Sequence, residues 1–211
     1  MIIDLTQSIS PSLKQFPGSP NVHFIKWSKY EFEGYNLEAM FLSTHAGTHM
    51  DAPSHFIKDG DSIDKIEVNR FYSARTHLIN IEKNRNELIT LDDILLNELS
   101  ISSGDSVVFS TGWEKCYKLD DYMYSNPGLS PDAAKYLVDR KINAVVIDCP
   151  SIDPGKDASF STHHVLLNNN ILIIENVCNL NKINKSPFIL LTVPLKLVKS
   201  TGSPIRALAI V

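Results

Sequence analysis

The 211-residue sequence predicts a mixed α/β fold in which strands outnumber helices. Short runs of apolar and β-branched residues recur along the whole chain, as is typical of buried strands. Few segments combine a helical pattern with the residues that start and end helices. Since helices and strands do not alternate regularly, we expect a compact mixed domain rather than repeated βαβ units.

The predicted strands are spread evenly along the chain. They are Ile2–Thr6, Leu37–Ser43, Thr76–Ile81, Ser106–Ser110, Ala144–Ile147, Ile171–Ile174, Phe188–Val193 and Ala207–Val211. No repeat, low-complexity tract or linker interrupts them. The sequence therefore predicts a single domain over residues 1–211.

Three helices are predicted from their end signals. Thr90, with Asp93 three residues later, predicts a helix that continues to Leu99. Ser130–Lys141 begins with a Ser cap and a Pro in the first turn and ends in basic residues. A shorter helix over Ser161–Asn168 would lead into the strand that carries Glu175.

Composition excludes several classes of protein. The formal charge is 20 minus 24, or −4, without a basic run, which argues against a nucleic-acid partner. No apolar run reaches the length of a membrane span, and the N-terminus lacks the pattern of a secretory signal. The three cysteines, far apart and odd in number, indicate reduced thiols rather than a disulfide framework or a thiolate zinc site. We expect a cytoplasmic protein.

The densest chemistry lies in residues 45–56, His-Ala-Gly-Thr-His-Met-Asp-Ala-Pro-Ser-His-Phe. Neutral imidazole and carboxylate oxygen both bind divalent metals such as zinc at close to 2 Å. His163 and His164 lie a short run ahead of Glu175, so that five of the seven histidines fall in two acid-bearing clusters. The pattern predicts a metal-dependent hydrolase.

Spacing within the motif indicates a bent, extended segment. His45, His49, Asp51 and His55 share odd parity, so an extended chain would direct them to one face. A straight strand would separate the α-carbons of the first two by about 13 Å, a long span for two ligands of one ion. The chain must therefore bend between them, and Gly47 permits the backbone angles required.

Two loops are candidates for the edge of the site. Asp148–Gly155 leaves a buried strand with two prolines and a glycine, and Thr111–Trp113 leaves another strand. Ligands of open sheets gather at the carboxyl ends of strands, although both loops also fit ordinary turns.

Residues 45–56 resemble the signature of the metal-dependent cyclase-like hydrolases, a family that includes bacterial kynurenine formamidase and isatin hydrolase. The resemblance continues along most of the chain, in Asp4–Thr6, Phe16–Gly18, Ser110–Trp113, Pro150–Asp153, His163–Leu167 and Glu175–Val177. It implies a mixed-sheet fold of the swivelling β/β/α type. It also implies assembly as a homodimer or homotetramer.

The resemblance also implies a set of metal ligands. His45, His49 and Asp51 would hold a first ion, and Asp51 would bridge to a second ion. The second ion would also be held by His163 and Glu175, as in formamidases with two zinc ions.

Two further histidines are assigned by the family pattern. His163 is preferred to its neighbour His164 because the pattern places its histidine twelve residues ahead of the glutamate, Glu175. His55 would be the acid/base residue. In the isatin-hydrolase branch a single manganese is expected, so one or two ions of Zn²⁺ or Mn²⁺ stay open.

Three functions are consistent with this site. The first is an arylformamidase that cleaves a small aromatic amide, N-formylkynurenine, in tryptophan catabolism. The second is an isatin-type lactam, lactone or other small-carbonyl hydrolase, and the third is a metal-binding protein without turnover. Phe16, Trp27 and Trp113 are candidates for an aromatic pocket lining, although each also fits a packed core.

Overall fold

The computed structural model describes residues 1–97 and 99–211, and an eight-stranded sheet organises them. The strands are β1 (Ile2–Asp4), β2 (His23–Ser28), β3 (Leu37–Phe41), β4 (His49–Asp51), β5 (Tyr72–Asn80), β6 (Leu88–Ile89), β7 (Ser106–Ser110), β8 (Gly128–Leu129), β9 (Ala144–Ile147), β10 (Leu172–Glu175), β11 (Phe188–Pro194) and β12 (Gly202–Ile210). The helices are α1 (Tyr30–Glu33), α2 (Leu91–Leu95), α3 (Pro131–Asp139) and α4 (Ser161–Asn168). The predicted mixed α/β class is confirmed.

The main sheet closes on itself through the short strand β4. Its order is β1-β12-β11-β5-β7-β9-β10-β4, and β4 also pairs with β12. The pairs from β5 through β7 and β9 to β10 are parallel, and the others are antiparallel. Strand β4 is therefore held on both edges: His49 lies opposite Glu175 of β10, and Asp51 lies opposite Gly202 of β12.

Apolar side chains cover both faces of the central strands. Val107 and Phe109 of β7 pack with residues of α3 and α4, including Leu137 and Leu166. Val108, between them in sequence, joins a second core made by side chains from strands all around the closed sheet. This follows from the alternation of side chains along a strand. The carboxyl ends of β9 and β10 are thus fixed by packing on both sides.

The helices have the predicted starts but shorter ends. Thr90 and Asp93 form a capping box at α2, which ends at Leu95 rather than Leu99; only one of its side chains is buried, and position 98 lies outside the described residues. The Ser130 hydroxyl accepts from the third residue of α3, which ends at Asp139. Helix α4 has the predicted bounds.

None of the helices in the described residues is long and apolar enough to span a membrane.

Strands β7 and β9 have the predicted bounds, whereas β5 and β12 each begin four or five residues earlier than expected. The start of β12, Gly202-Ser-Pro, has the composition of a turn and is a strand because it pairs with β4. Strands β2, β4, β6 and β8 were not predicted, because three of them are too short to show alternation and β2 is exposed along most of its length.

Residues 23–41 form a separate structure that we call the arm. Strands β2 and β3 pair antiparallel in a two-stranded sheet of their own, and α1 lies between them at the tip. Large apolar side chains of the arm are exposed, including Trp27 at 71% and Phe32 at 81%. The chain leaves β3 directly for the histidine-rich segment.

Candidate metal centre

Three of the predicted ligands meet at a bend between β3 and β4. Gly47 has a φ of 64°, the left-handed conformation that the spacing requires at the bend. His45 precedes the bend, and His49 and Asp51 follow it in β4. His45 Nδ1 lies 2.7 Å from Asp51 Oδ1, and His49 Nε2 lies 3.4 Å from the same oxygen.

Neighbouring backbone fixes the direction of both rings. His49 Nδ1–H donates to the Gly47 carbonyl oxygen at 2.9 Å, so the ring presents Nε2 to the cluster. His45 Nε2 lies 2.9 Å from the hydroxyl of Thr201, which leaves Nδ1 for Asp51. The next residue, Gly202, passes so near that a Cβ there would lie 2.5 Å from His45 Cε1. Only glycine allows this approach without a shift of the ring or the strand.

The other two predicted ligands arrive from distant parts of the chain. His163 lies in the first turn of α4, and Glu175 ends β10. His163 Nε2 lies 3.2 Å from Glu175 Oε1 and 3.4 Å from Asp51 Oδ2. Glu175 Oε2 lies 3.4 Å from His49 Nε2, so the carboxylate joins the two halves of the cluster.

The loop after β9 holds the distant half in place. The backbone N–H of Ile152 donates to Glu175 Oε1 at 2.7 Å. The buried carboxylate of Asp153 accepts from His163 Nδ1 and from the backbone N–H groups of Thr162 and His163. This bond orients the His163 ring and leaves Nε2 for the cluster. Sequence reasoning placed the loop near the site but missed Asp153 as the partner of the histidine.

The two predicted loops differ in position. The loop after β9 borders the cavity through Pro150 and Ser151. The loop after β7 does not line it: Trp113 is buried in the core, and its indole N–H donates to a backbone carbonyl. The Thr111 hydroxyl donates to Asp148, so a hydrogen bond connects the loop after β7 to the loop after β9.

The electrostatics of the cluster favour positive charge at the imidazole nitrogens. Burial opposes charge on His49, but Asp51 and Glu175 outweigh it and raise its pKa to about 10. Burial likewise opposes charge on His163, whose pKa Asp153 and the other two carboxylates raise well above the usual value. The histidines in turn overcome burial and hold the pKa of Asp51 well below its usual value.

The donor set fits a divalent cation. Asp51 Oδ2 is buried and has no hydrogen-bond partner among the described residues, a costly arrangement for a carboxylate oxygen. Two groups of three side chains could each hold an ion, and within each group the ligand atoms lie within 4.8 Å of one another. The first group is His45, His49 and Asp51, and the second is Asp51, His163 and Glu175. Imidazole and carboxylate are ligands of both Zn²⁺ and Mn²⁺.

His55 lies beside both groups without belonging to either. Its ring stacks on His45 with centroids 3.9 Å apart and lines the cavity. Desolvation of the ring lowers the pKa of His55 to about 4, against the opposing charge of Asp51. A neutral imidazole at the cavity wall can accept a proton.

The remaining histidines lie outside the cluster. His164 is exposed and packs its ring against the edge of Phe56. His23 is exposed in β2, and His77 is buried with Nε2 2.8 Å from Asp105.

A cavity of about 180 Å³ opens over the cluster. Its aromatic lining consists of Phe16, as predicted, together with Phe56 and Phe160. Of the other two candidates, Trp113 lies in the core, the alternative that the sequence left open, and Trp27 is exposed on the arm. Phe56 was visible in the sequence as the last residue of the motif. Phe160 precedes α4 in a left-handed conformation, which the sequence does not indicate.

The chain is similar in sequence to known proteins over most of its length. The family model described as "Putative cyclase" matches residues 3–154. A kynurenine formamidase of Bacillus cereus is 29% identical over 97% of this chain and 95% of its own length. An isatin hydrolase of Roseibium aggregatum is 32% identical over 100% of this chain and 91% of its own length.

The fold has a close counterpart among solved structures. The crystal structure of an isatin hydrolase bound to the product analogue thioisatinate superposes with a TM-score of 0.91 at 31% identity. The match covers 100% of this chain and 92% of that one. The similarity therefore includes every element that contributes to the candidate centre.

Proposed function

The chain belongs to the cyclase family, and from this membership we propose that it is a metal-dependent hydrolase of C–N bonds, specifically an arylformamidase that converts N-formylkynurenine to kynurenine and formate. The observation that carries the proposal is the pair of ligand groups that share Asp51 at the base of an aromatic-lined cavity. A site of this kind brings the carbonyl of a small aromatic substrate next to the metal ligands. A relative that is named kynurenine formamidase and aligns with 97% of the chain supports this choice of substrate.

In this proposal the metal ligands are those predicted from the family pattern. His45, His49 and Asp51 would hold one zinc ion, and Asp51, His163 and Glu175 would hold a second; manganese is the alternative metal. Bound zinc acts as a Lewis acid and lowers the pKa of water to about 7. Four of these side chains, all but Asp51, are already oriented by hydrogen bonds from neighbouring backbone and side chains.

His55 is the proposed acid/base residue. It lines the cavity beside the ligands while lying outside both groups. One imidazole nitrogen accepts a proton from the attacking water and then delivers it to the leaving nitrogen. An aryl amine is a better leaving group than an alkyl amine, so a formanilide-type substrate suits this transfer. The free position of His55 also argues against a metal-binding protein without turnover, in which a closed ligand set would be expected.

A direct assay tests the activity. Purified protein of known metal content is given N-formylkynurenine, with isatin in parallel and a chelated sample as control. Metal-dependent deformylation supports the arylformamidase, whereas turnover of isatin alone supports an isatin-type lactam hydrolase. The second outcome is the alternative favoured by the 32% identical isatin hydrolase. Absence of both activities in metal-loaded protein would overturn both assignments.

The role of His55 has its own test. We expect His55→Ala to lower kcat by about 10²- to 10⁴-fold, the usual range for loss of an acid/base group, with unchanged metal content. His164→Ala is the matched control, since this exposed neighbour of His163 belongs to neither ligand group. A His55→Ala variant with full metal content and near-normal kcat would rule out the proposed role.

We further propose that the protein forms a homodimer, or a homotetramer of two such dimers, through the arm. A two-stranded sheet is marginally stable alone, and here both strands expose large apolar side chains. At about 200 Å² for each aromatic side chain, the exposed fractions on the arm leave roughly 700 Å² uncovered. A standard interface takes about 800 Å² from each partner. A second copy presents the same surface, as a two-fold dimer requires.

Light scattering after size exclusion tests the dimer. We expect twice the mass of one chain for a wild-type dimer, or four times that mass for a tetramer, and half the wild-type mass for the double variant Trp27→Glu, Phe32→Glu. Val198→Glu is the control, because Val198 is equally exposed at 74% but lies outside the arm. A wild-type monomer at all concentrations would overturn this assembly.

The proposed setting is tryptophan catabolism in the cytoplasm. The substrate assignment supports the pathway, and the three free cysteines fit a reducing compartment.

A further inference from the structure

Lys14 is fixed at the rim of the cavity by the segment that carries it. It is the one lysine or arginine among the described residues that line this cavity. Leu13 before it is buried and reaches within 3.4 Å of the point where Gly47 would carry a Cβ. The backbone N–H of Lys14 donates to the Tyr117 hydroxyl at 3.0 Å. These contacts tie the lysine to the bend that holds the first ligand group.

The ammonium group of Lys14 has unused donors. It donates to the backbone carbonyl oxygen of Leu119, and no carboxylate in the described part of the chain pairs with it. An ammonium has three donors, so two are available to a ligand. By contrast, Lys83 pairs with Glu87 and Asp93.

We propose that Lys14 binds an anionic group of the substrate, a carboxylate, so that the enzyme acts on aromatic amides that carry a negative charge away from the scissile bond. This inference rests on the proposed hydrolase function and deepens it. The aromatic side chains of the cavity contact the ring of the substrate, the proposed metal ligands lie beside its amide, and Lys14 binds its carboxylate. N-formylkynurenine has such a carboxylate, whereas isatin is neutral, so Lys14 separates the two candidate substrates.

A purely structural role is the competing explanation, because the bond to Leu119 also connects the segment of Lys14 to a distant part of the chain. The two roles predict different results for substrates with and without a negative charge at the end away from the amide. N-formylkynurenine and its methyl ester form such a pair. A structural lysine affects both compounds equally, while a carboxylate-binding lysine affects only the acid.

The kinetic test uses the metal-loaded full-length protein. We expect Lys14→Met to lower kcat/KM for N-formylkynurenine by about tenfold or more, mainly through KM, and to leave the methyl ester within twofold. Lys14→Arg should restore most of the preference for the acid. Lys115→Met is the matched control, since Lys115 is exposed, pairs with Glu82 and lies outside the cavity lining. Equal losses for acid and ester in Lys14→Met would overturn the proposal.

A binding measurement separates this inference from the proposed activity. Calorimetry with kynurenine and kynurenine methyl ester needs no turnover. If the wild type prefers the acid, and this preference disappears in Lys14→Met and returns in Lys14→Arg, the result supports carboxylate binding by Lys14. This holds even if neither formyl compound is hydrolysed, and in that case only the arylformamidase proposal fails. Equal affinity of the wild type for acid and ester, or no binding of either, would overturn the role of Lys14.

Discussion

The two halves of the candidate centre are built in different ways. The first half, with His45 and His49, lies within one bend of seven residues that ends at Asp51, and close backbone packing shapes it. The second half, with His163 and Glu175, brings together an α-helix and a strand, and hydrogen bonds from one loop hold it. Asp51 belongs to both halves.

This difference indicates which changes should affect each half. The local half depends on the space beside the His45 ring, since Gly202 and Thr201 of the neighbouring segment contact it. The distant half depends on the charge and acceptor capacity of Asp153. If the proposed pair of ions is bound, a substitution in one half should weaken one ion and leave the other. Only a substitution of the shared carboxylate should remove both.

The largest effect is expected from Asp51→Asn. The amide retains the size of the side chain but loses the charge that both ligand groups share. We expect loss of both ions and a fall in kcat/KM of at least about 10³-fold, because every proposed metal contact is affected. Metal analysis by mass spectrometry and the formamidase assay measure this, with the exposed Asp132→Asn as control. Retention of one ion at full affinity would show that Asp51 is not shared.

Asp153→Asn should act on the distant half alone. His163 would lose the carboxylate that orients its ring, and loss of such a partner usually costs 10- to 100-fold in metal affinity. We therefore expect the affinity for one of the two ions to fall by about that factor, while the affinity for the other is unchanged. Competition titration with a chromophoric chelator resolves the two steps. Equal weakening of both ions would contradict the independence of the halves.

The same contrast explains how much of the site the sequence could reveal. The local half was predictable because its ligands stand close together in the chain, so parity and spacing required a bend, and Gly47 takes the left-handed conformation there. For the distant half, residue pattern alone left His163 and Glu175 uncertain, and the family resemblance selected them. The assignment of the residues of both halves as ligands stays a prediction, although the structure brings them together.

The parts that sequence reasoning missed depend on closure of the sheet. Strand β4 has three residues and is a strand only because β10 and β12 pair with its two edges. That closure also brings Thr201 and Gly202 to His45, although 156 positions separate Thr201 from the histidine. Buried central strands such as β7 and β9 were predictable, since an unbroken apolar run is sufficient evidence for them.

A smaller effect is expected from Gly202→Ala, which tests the local half. The new methyl group would meet His45 Cε1 at 2.5 Å and the Met50 carbonyl oxygen at 2.7 Å, so the ring or the strand must move. We expect a loss of about 1–3 kcal/mol in the free energy of unfolding, as for other overpacked sites. The affinity for the first ion should fall by about tenfold, at the low end of the range for a misplaced ligand. Thermal unfolding and the chelator titration measure the two quantities, and weakening of the second ion instead would reverse the assignment of the halves.

The smallest effect is expected from Thr201→Val, which removes a single hydroxyl beside His45 Nε2 and keeps the volume of the side chain. One hydrogen bond contributes about 1 kcal/mol, so the affinity of the first ion should fall by less than about tenfold. Thr201→Ser retains the hydroxyl and should bind both ions like the wild type. If the two variants behaved alike, the hydroxyl would not orient His45, and close packing against Gly202 would be sufficient to hold the ring.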